Sequence, residues 1–227
     1  MPEASRTPLS RARILDAALR FVDEHGLDAL SMRKLAAELG VEAMSLYNHV
    51  ANKGAVLDGL LERLLDEVDV RPGGERHWTE RITAAARSFR KLALRHPSFV
   101  QLLTTQHVHS EATMRPLEAS LSILRQAGFG PEEALLAYKA LIGYVIGFVT
   151  QEVSGALGLP DCGPGASGEH IRSGGLEVAL DPERFPVLTE TLPLGQRVRP
   201  DAAFDFGLDL ILAGLQSRLA AAAPRGS

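Results

Sequence analysis

SMRKLAAELGVEAMSLYNHV, residues 31–50, is read as two short helices joined by a tight turn. Ser31 carries a hydroxyl immediately before MRKLAAEL, the position at which an N-cap satisfies the first backbone amides of a helix. Leu35 and Leu39 recur at i, i+4, and Gly40 stops the helix after about two turns. Val41 is expected to be the buried residue of the turn, wedging the helices at a fixed angle, and Glu42 opens a third helix, EAMSLYNHV. That third helix is too short and too polar on one side to be a core element. Its outward face would carry Glu42, Ala43, Ser45, Asn48 and His49, with Met44 and Tyr47 close by.

Upstream, Ser10 caps RARILDAALRFVDEHG, in which Ile14, Ala18, Phe21 and Val22 share a face that Leu15 and Leu19 widen, and Gly26 ends it. Downstream, Asn52 caps a helix from Lys53, with Leu57, Leu60, Leu61, Leu64, Leu65 and Val68 in a stripe. The three-helix unit thus contains a helix-turn-helix, residues 1–53, followed by a connecting helix, residues 54–72.

Arg71-Pro72-Gly73-Gly74 breaks the chain. Beyond it, Trp78 to Arg95 reads as a helix, His96-Pro97 interrupts, and Phe99 to Thr105 resumes. Pro116 to Ala127 is a further amphipathic helix, closed by Gly128. The run from Pro131 to Val153 is apolar on nearly every face, as expected of a helix buried on several sides. Residues 155–200 are rich in Gly and Pro and read as a mobile loop, with a short helix near Glu183 to Thr191. Ala202 to Ala221 is a last strong helix. No run alternates long enough to make a convincing strand. The expected fold is all-α, with residues 73–227 a helical ligand-binding and dimerisation domain.

Net charge is −4 and 45% of the residues are hydrophobic, ordinary for a globular chain. Met1 to Lys53 balances seven Lys/Arg against seven Asp/Glu, so bulk charge does not announce a nucleic-acid partner. Phosphate contacts must then come from a few cations, backbone amides and helix N-termini. No run of about 20 apolar residues suggests a membrane span, and the N-terminus has no secretory h-region. The lone Cys162 excludes an internal disulfide framework, is read as inert, and fits a reducing compartment. The expected location is cytoplasmic, with no membrane partner.

Chemically, the third helix suits base reading. Asn makes bidentate contacts to adenine; Ser, Tyr and His reach phosphates or base edges; Ala and Met meet a thymine methyl. Arg33 can reach guanine or phosphate, and Lys53 suits a phosphate. A merely solvated polar face is an equal reading of the pattern alone.

Arg33-Lys34-Leu35-Ala36, Leu39-Gly40-Val41, Leu46-Tyr47, His49-Val50 and Asn52-Lys53, at these spacings, resemble the DNA-binding region of the tetracycline-repressor (TetR) family. Ala86-Arg87-Ser88-Phe89-Arg90, Gln126-Ala127-Gly128-Phe129, Ala203-Phe204 and Phe206-Gly207-Leu208 extend the resemblance to the ligand-binding domain of the tetracycline repressors themselves. The resemblance places operator contacts on Arg33, Ala43, Met44, Ser45, Tyr47, Asn48, His49 and Lys53. Ala43, Met44 and Asn48 depart from the Gln-Pro and Trp of the tetracycline repressors, which implies another operator.

The resemblance also implies a switch, in which a small molecule and the operator weaken one another's binding. Coupling is expected to run through the connecting helix. In tetracycline repressors a His and a Glu help hold a magnesium chelate. The His position falls near Leu103 or Gln101, the Glu position on Gln151, and an upstream His near Asp69. No metal or cofactor is therefore expected, since an amide is a poor substitute for a carboxylate around Mg²⁺. An aromatic or polyketide-like inducer is expected instead, in an apolar cavity. Candidate lining residues are Phe89, Leu103, Thr104, His107, Leu117, Leu121, Tyr144, Phe148 and Gln151, with a plain core role equally open for each apolar one. His107 and His109 lack a third ligand at metal spacing and read as exposed.

By resemblance, the two strongest apolar helices form a four-helix interface in a homodimer, and two-fold symmetry then demands a palindromic double-stranded operator. The expected function is repression of an efflux transporter gene. A biosynthetic or catabolic target, or a small-molecule binding protein without operator function, is the alternative. No G-x-S-x-G, H-E-x-x-H or phosphate loop argues for an enzyme.

Overall fold

A computed structural model describes residues 8–70, 77–105, 111–155, 170–173, 176–179, 181–195 and 197–222. Among the described residues the regular structure is helical apart from one short hairpin. Its contacts divide it into two compact units, residues 1–134 and residues 135–227.

In the first unit, α1 (Arg11–His25) starts where the Ser10 hydroxyl accepts the Arg13 amide at 3.3 Å. It buries Ile14, Leu15, Ala17, Ala18, Phe21 and Val22. α2 (Met32–Leu39) repeats the device, the Ser31 hydroxyl accepting the Lys34 amide at 3.3 Å. It ends at Gly40, whose φ of +66° is left-handed backbone that a side chain would strain. The Gly40 amide reaches the Ala37 carbonyl at 3.1 Å and the Val41 amide the Ala36 carbonyl at 3.0 Å. This Schellman pairing satisfies two carbonyls the helix leaves open.

α3 (Ala43–Leu46) is shorter than the expected EAMSLYNHV helix. Glu42 makes no side-chain cap, and after Leu46 the chain continues as hydrogen-bonded turns, with the His49 and Val50 amides on the Leu46 carbonyl at 2.9 and 3.0 Å. Val41 is only half-buried, so it is not the wedge; fully buried Leu46 and 5%-exposed Val50 anchor the segment instead.

α4 (Lys53–Asp66) begins where the Asn52 side-chain oxygen accepts the Ala55 amide at 2.9 Å. Val56, Leu57, Leu60, Leu61, Leu64 and Leu65 are all buried, each such side chain contributing roughly 1.5–3 kcal/mol. Gly59 allows α1 and α4 to approach closely: a Cβ there would sit 2.9 Å from both Arg11 and Leu15 side-chain atoms. Arg11–Glu62 (3.5 Å) and Arg63–Asp16 ion pairs flank this contact.

α5 (Trp78–Arg95) and α6 (Ser98–Thr105) are separated at His96-Pro97, as expected. His96 Nδ1 lies 2.8 Å from the Asp23 carboxylate, tying this corner to α1. α7 (Glu111–Ala127) begins five residues before the expected start at Pro116. A proline inside the second turn removes one backbone hydrogen bond but leaves the rest of the helix intact, so it is a poor start signal. α7 packs on both α4 and α5.

α8 (Pro131–Val153) opens at the boundary of the second unit. Contrary to the expectation of no membrane-length apolar run, it is long and apolar enough to cross a bilayer by length and composition. Only 28% of its most apolar stretch is buried within the chain. The expected loop over residues 155–200 holds structure where it is described. β1 (His170–Ser173) pairs antiparallel with β2 (Leu176–Ala179), in register His170 to Ala179 and Ser173 to Leu176. The hairpin escaped the sequence reading because four-residue strands are too short to show alternation. α9 (Pro186–Gly195) overlaps the expected short helix, starting three residues and ending four residues later, and α10 (Pro200–Ala222) is the last described element. Tyr144 of α8 donates its hydroxyl to the Phe204 carbonyl of α10 at 2.8 Å, and its ring lies 5.8 Å from that of Phe204.

Candidate nucleic-acid interface and ligand wall

The reader surface is built on a rigid floor. Leu35, Ala36, Leu46 and Val50 are buried beneath it, and three side-chain caps fix the starts of α1, α2 and α4. Above that floor Met44 is 75% exposed and Tyr47 46% exposed. Asn48 and His49 are exposed, and Ala43 and Ser45 half-exposed. Large apolar and aromatic groups held outward by a capped scaffold oppose the hydrophobic effect and suit a partner surface.

Arg33 is exposed on the first turn of α2 and Lys53 half-exposed at the first residue of α4. Both sit where helix N-terminal amides add positive potential toward a phosphate. Lys34 differs from its neighbour: its ammonium donates to the Ala29 carbonyl at 3.0 Å and lies 6.0 Å from the Phe21 ring. It braces the scaffold. All eight residues expected to contact an operator fall on α2, α3, the turns after α3, or the start of α4.

The expected ligand wall is more dispersed. In the first unit, Phe89 of α5 is buried and its ring lies 5.2 Å from that of Phe99 on α6. Leu103 is half-buried, whereas Thr104 is exposed and its hydroxyl donates to the Val100 and Gln101 carbonyls at 3.2 and 3.1 Å. Leu117 and Leu121, one turn apart on α7, are half-buried. His107 and His109 lie outside the described residues. In the second unit, Tyr144 and Phe148 join Phe204 in one aromatic cluster, with ring separations of 5.2 to 5.9 Å. Gln151 is exposed on the last turns of α8.

Sequence reasoning passed over one feature of the first unit. A cavity of about 340 Å³ lies between the end of α4 and α7, where Leu65, Val68 and Ala119 meet Asp66, Arg115 and Glu118. The expected helix start at Pro116 leaves Arg115 outside α7, which in fact begins at Glu111. Among the described residues no group of three His, Cys, Asp or Glu side chains is placed to hold a metal ion.

Residues 14–60 match the profile of bacterial regulatory proteins, tetR family, and residues 71–219 that of the tetracyclin repressor-like C-terminal domain. The HTH-type transcriptional repressor DrrR1 of Streptomyces coeruleorubidus is 33% identical over 218 residues, covering 92% of this chain and 77% of that protein. The tetracycline repressor protein class A from transposon 1721 of Escherichia coli is 31% identical, covering 93% of each. Among solved structures, the TetR family protein ActR of Streptomyces coelicolor, in complex with actinorhodin, superimposes with a TM-score of 0.74. It is 29% identical and covers 94% of this chain and 99% of its own.

Proposed function

The chain belongs to the TetR family of bacterial regulatory proteins, and from that premise we propose that it is a ligand-responsive repressor that binds a palindromic operator as a homodimer. The observation that carries this reading is the reader surface: Met44 and Tyr47 stand outward over buried Leu46 and Val50. Arg33, Ala43, Met44, Ser45, Tyr47, Asn48, His49 and Lys53 are the proposed operator contacts. The inducer is a small aromatic or polyketide-like molecule, and the regulated gene encodes an efflux transporter. Two named relatives are repressors, and ActR has been crystallised with actinorhodin, which supports a small-molecule input. Within the second unit, the half-buried rings of Tyr144 and Phe148 offer stacking surface of the kind such a molecule needs.

A magnesium chelate does not fit the donors present. Leu103 offers no ligand atom, and Gln151 offers a neutral amide oxygen, a poorer partner for Mg²⁺ than a carboxylate.

The test is a gel shift with DNA from upstream of the chain's own gene. Binding should be saturable, favour an inverted repeat over random DNA, and weaken steeply with salt, since phosphate contacts release counterions. Arg33→Ala and Tyr47→Ala should each weaken it by about tenfold or more, as expected for a lost contact of 1–3 kcal/mol. Equal affinity for random DNA would overturn the operator reading.

A further inference from the structure

The cavity between α4 and α7 is not part of the ligand wall proposed above. Arg115, Glu118, Ala119 and Ser122 follow the i, i+3, i+4, i+7 spacing of one helical face and line it. By the same 3.6-residue period, Leu117 points about 150° and Leu121 about 110° away from the centre of that face. Its volume, about 340 Å³, lies in the range of small-molecule sites. Its walls are all within residues 1–134.

Its charges are unevenly matched. Arg115 is engaged by Asp66 at 3.3 Å and by Glu111 at 3.8 Å. Glu118 is met by the Ser122 hydroxyl at 3.3 Å, a neutral donor, and among the described residues no cation pairs with it. Beside it, Leu65, Val68 and Ala119 present apolar surface. A carboxylate with spare acceptor capacity next to an apolar wall is complementary to a flat apolar body carrying one positive charge.

We propose that this cavity is a second ligand site, taking a small aromatic amine whose ammonium or amidinium pairs with Glu118 while its rings cover Leu65, Val68 and Ala119. The site presses on the last turn of α4, the helix whose first residue, Lys53, stands at the reader surface. A cation held there biases the position of α4 by as much as its affinities for the two positions differ.

The probe is 9-aminoacridine, cationic near pH 8, titrated by fluorescence into the full chain without DNA, against acridine, the same ring system without charge. The cation should bind saturably at one equivalent and about threefold to fivefold more tightly than acridine, the worth of one solvent-exposed ion pair. Glu118→Gln should weaken it by about threefold to fivefold, and Ala119→Phe, which fills the cavity, should abolish it. Glu118 is exposed, so Glu118→Gln keeps the fold, checked by unchanged helicity and unchanged operator gel shift. Equal binding of the two acridines, full binding by Glu118→Gln, or no saturable binding each overturns the proposal. So does loss of binding in Phe89→Ala with Glu118→Gln unaffected, which places the cation at the other wall. Because the titration contains no DNA, failure of the operator reading leaves this result standing, and the converse holds.

Discussion

Asn52 holds the first turn of α4 with one hydrogen bond, its side-chain oxygen accepting the Ala55 amide at 2.9 Å. Replacing it with alanine leaves that amide to water and should cost about 1 kcal/mol of stability, read as a lowered urea midpoint with an unchanged slope. Tyr138, on α8, titrates late: desolvation by burial raises its phenol above the ordinary value of 10.0. The folded state therefore keeps its proton where the unfolded chain has lost it. The associated stability is full below about pH 10 and declines as pH rises through the folded-state value. Tyr138→Phe should flatten that alkaline decline in a series of pH-dependent unfolding curves; an unchanged decline would assign it to other groups.

Among the elements, α4 joins the reader to the rest of the first unit. Its inward positions Leu60 and Leu64 are fully or almost fully buried, so a polar residue there would leave unsatisfied groups in the core and unfold the reader rather than report on coupling. Gly59 is the more informative position. A Cβ there meets flexible ends of Arg11 and Leu15 at 2.9 Å, which can shift by a little. Gly59→Ala should be close to neutral, since the gain of about 1 kcal/mol in helix propensity offsets that shift. Gly59→Val should cost about 1–3 kcal/mol by overpacking, seen as a lowered melting temperature. The Arg11–Glu62 pair beside it is half-exposed and contributes no more than about 1 kcal/mol.

The whole molecule leaves a conspicuous amount of apolar surface outside. Leu136 of α8 is 58% exposed, and Phe206 and Leu210, one turn apart on α10, are 68% and 60% exposed. Single exposed apolar residues are ordinary, but neighbours at helical spacing are the signature of an interface. The proposed homodimer would cover them, and the same burial would account for a helix of membrane-spanning length and apolarity. Phe206→Asp combined with Leu210→Asp should shift the chain from dimer to monomer in sedimentation. Binding to an inverted repeat should fall with it, because each monomer then reads one half-site alone. A dimer that survives both charges would place the interface elsewhere.

Local chemistry made most of the first unit legible in the sequence. Ser10, Ser31 and Asn52 each satisfy a backbone amide three residues on, and Gly40 supplies a left-handed turn, so caps and stops were readable without knowing the partners. The family followed from residue types at fixed spacing over the same stretch. Tertiary structure decided what depends on neighbours distant in sequence. Leu46 and Val50 rather than Val41 lie inward, because burial is set by what packs opposite. Tyr144 and Phe148 form a cluster with Phe204, some sixty residues away. The start of α7 shows the limit most clearly. Pro116 carries a local signal for a helix N-terminus, yet the helix runs through it, since packing on α4 and α5 outweighs one lost hydrogen bond. That override puts Arg115 and Glu118 on one face beside α4, and with them the cavity that no local signal announced.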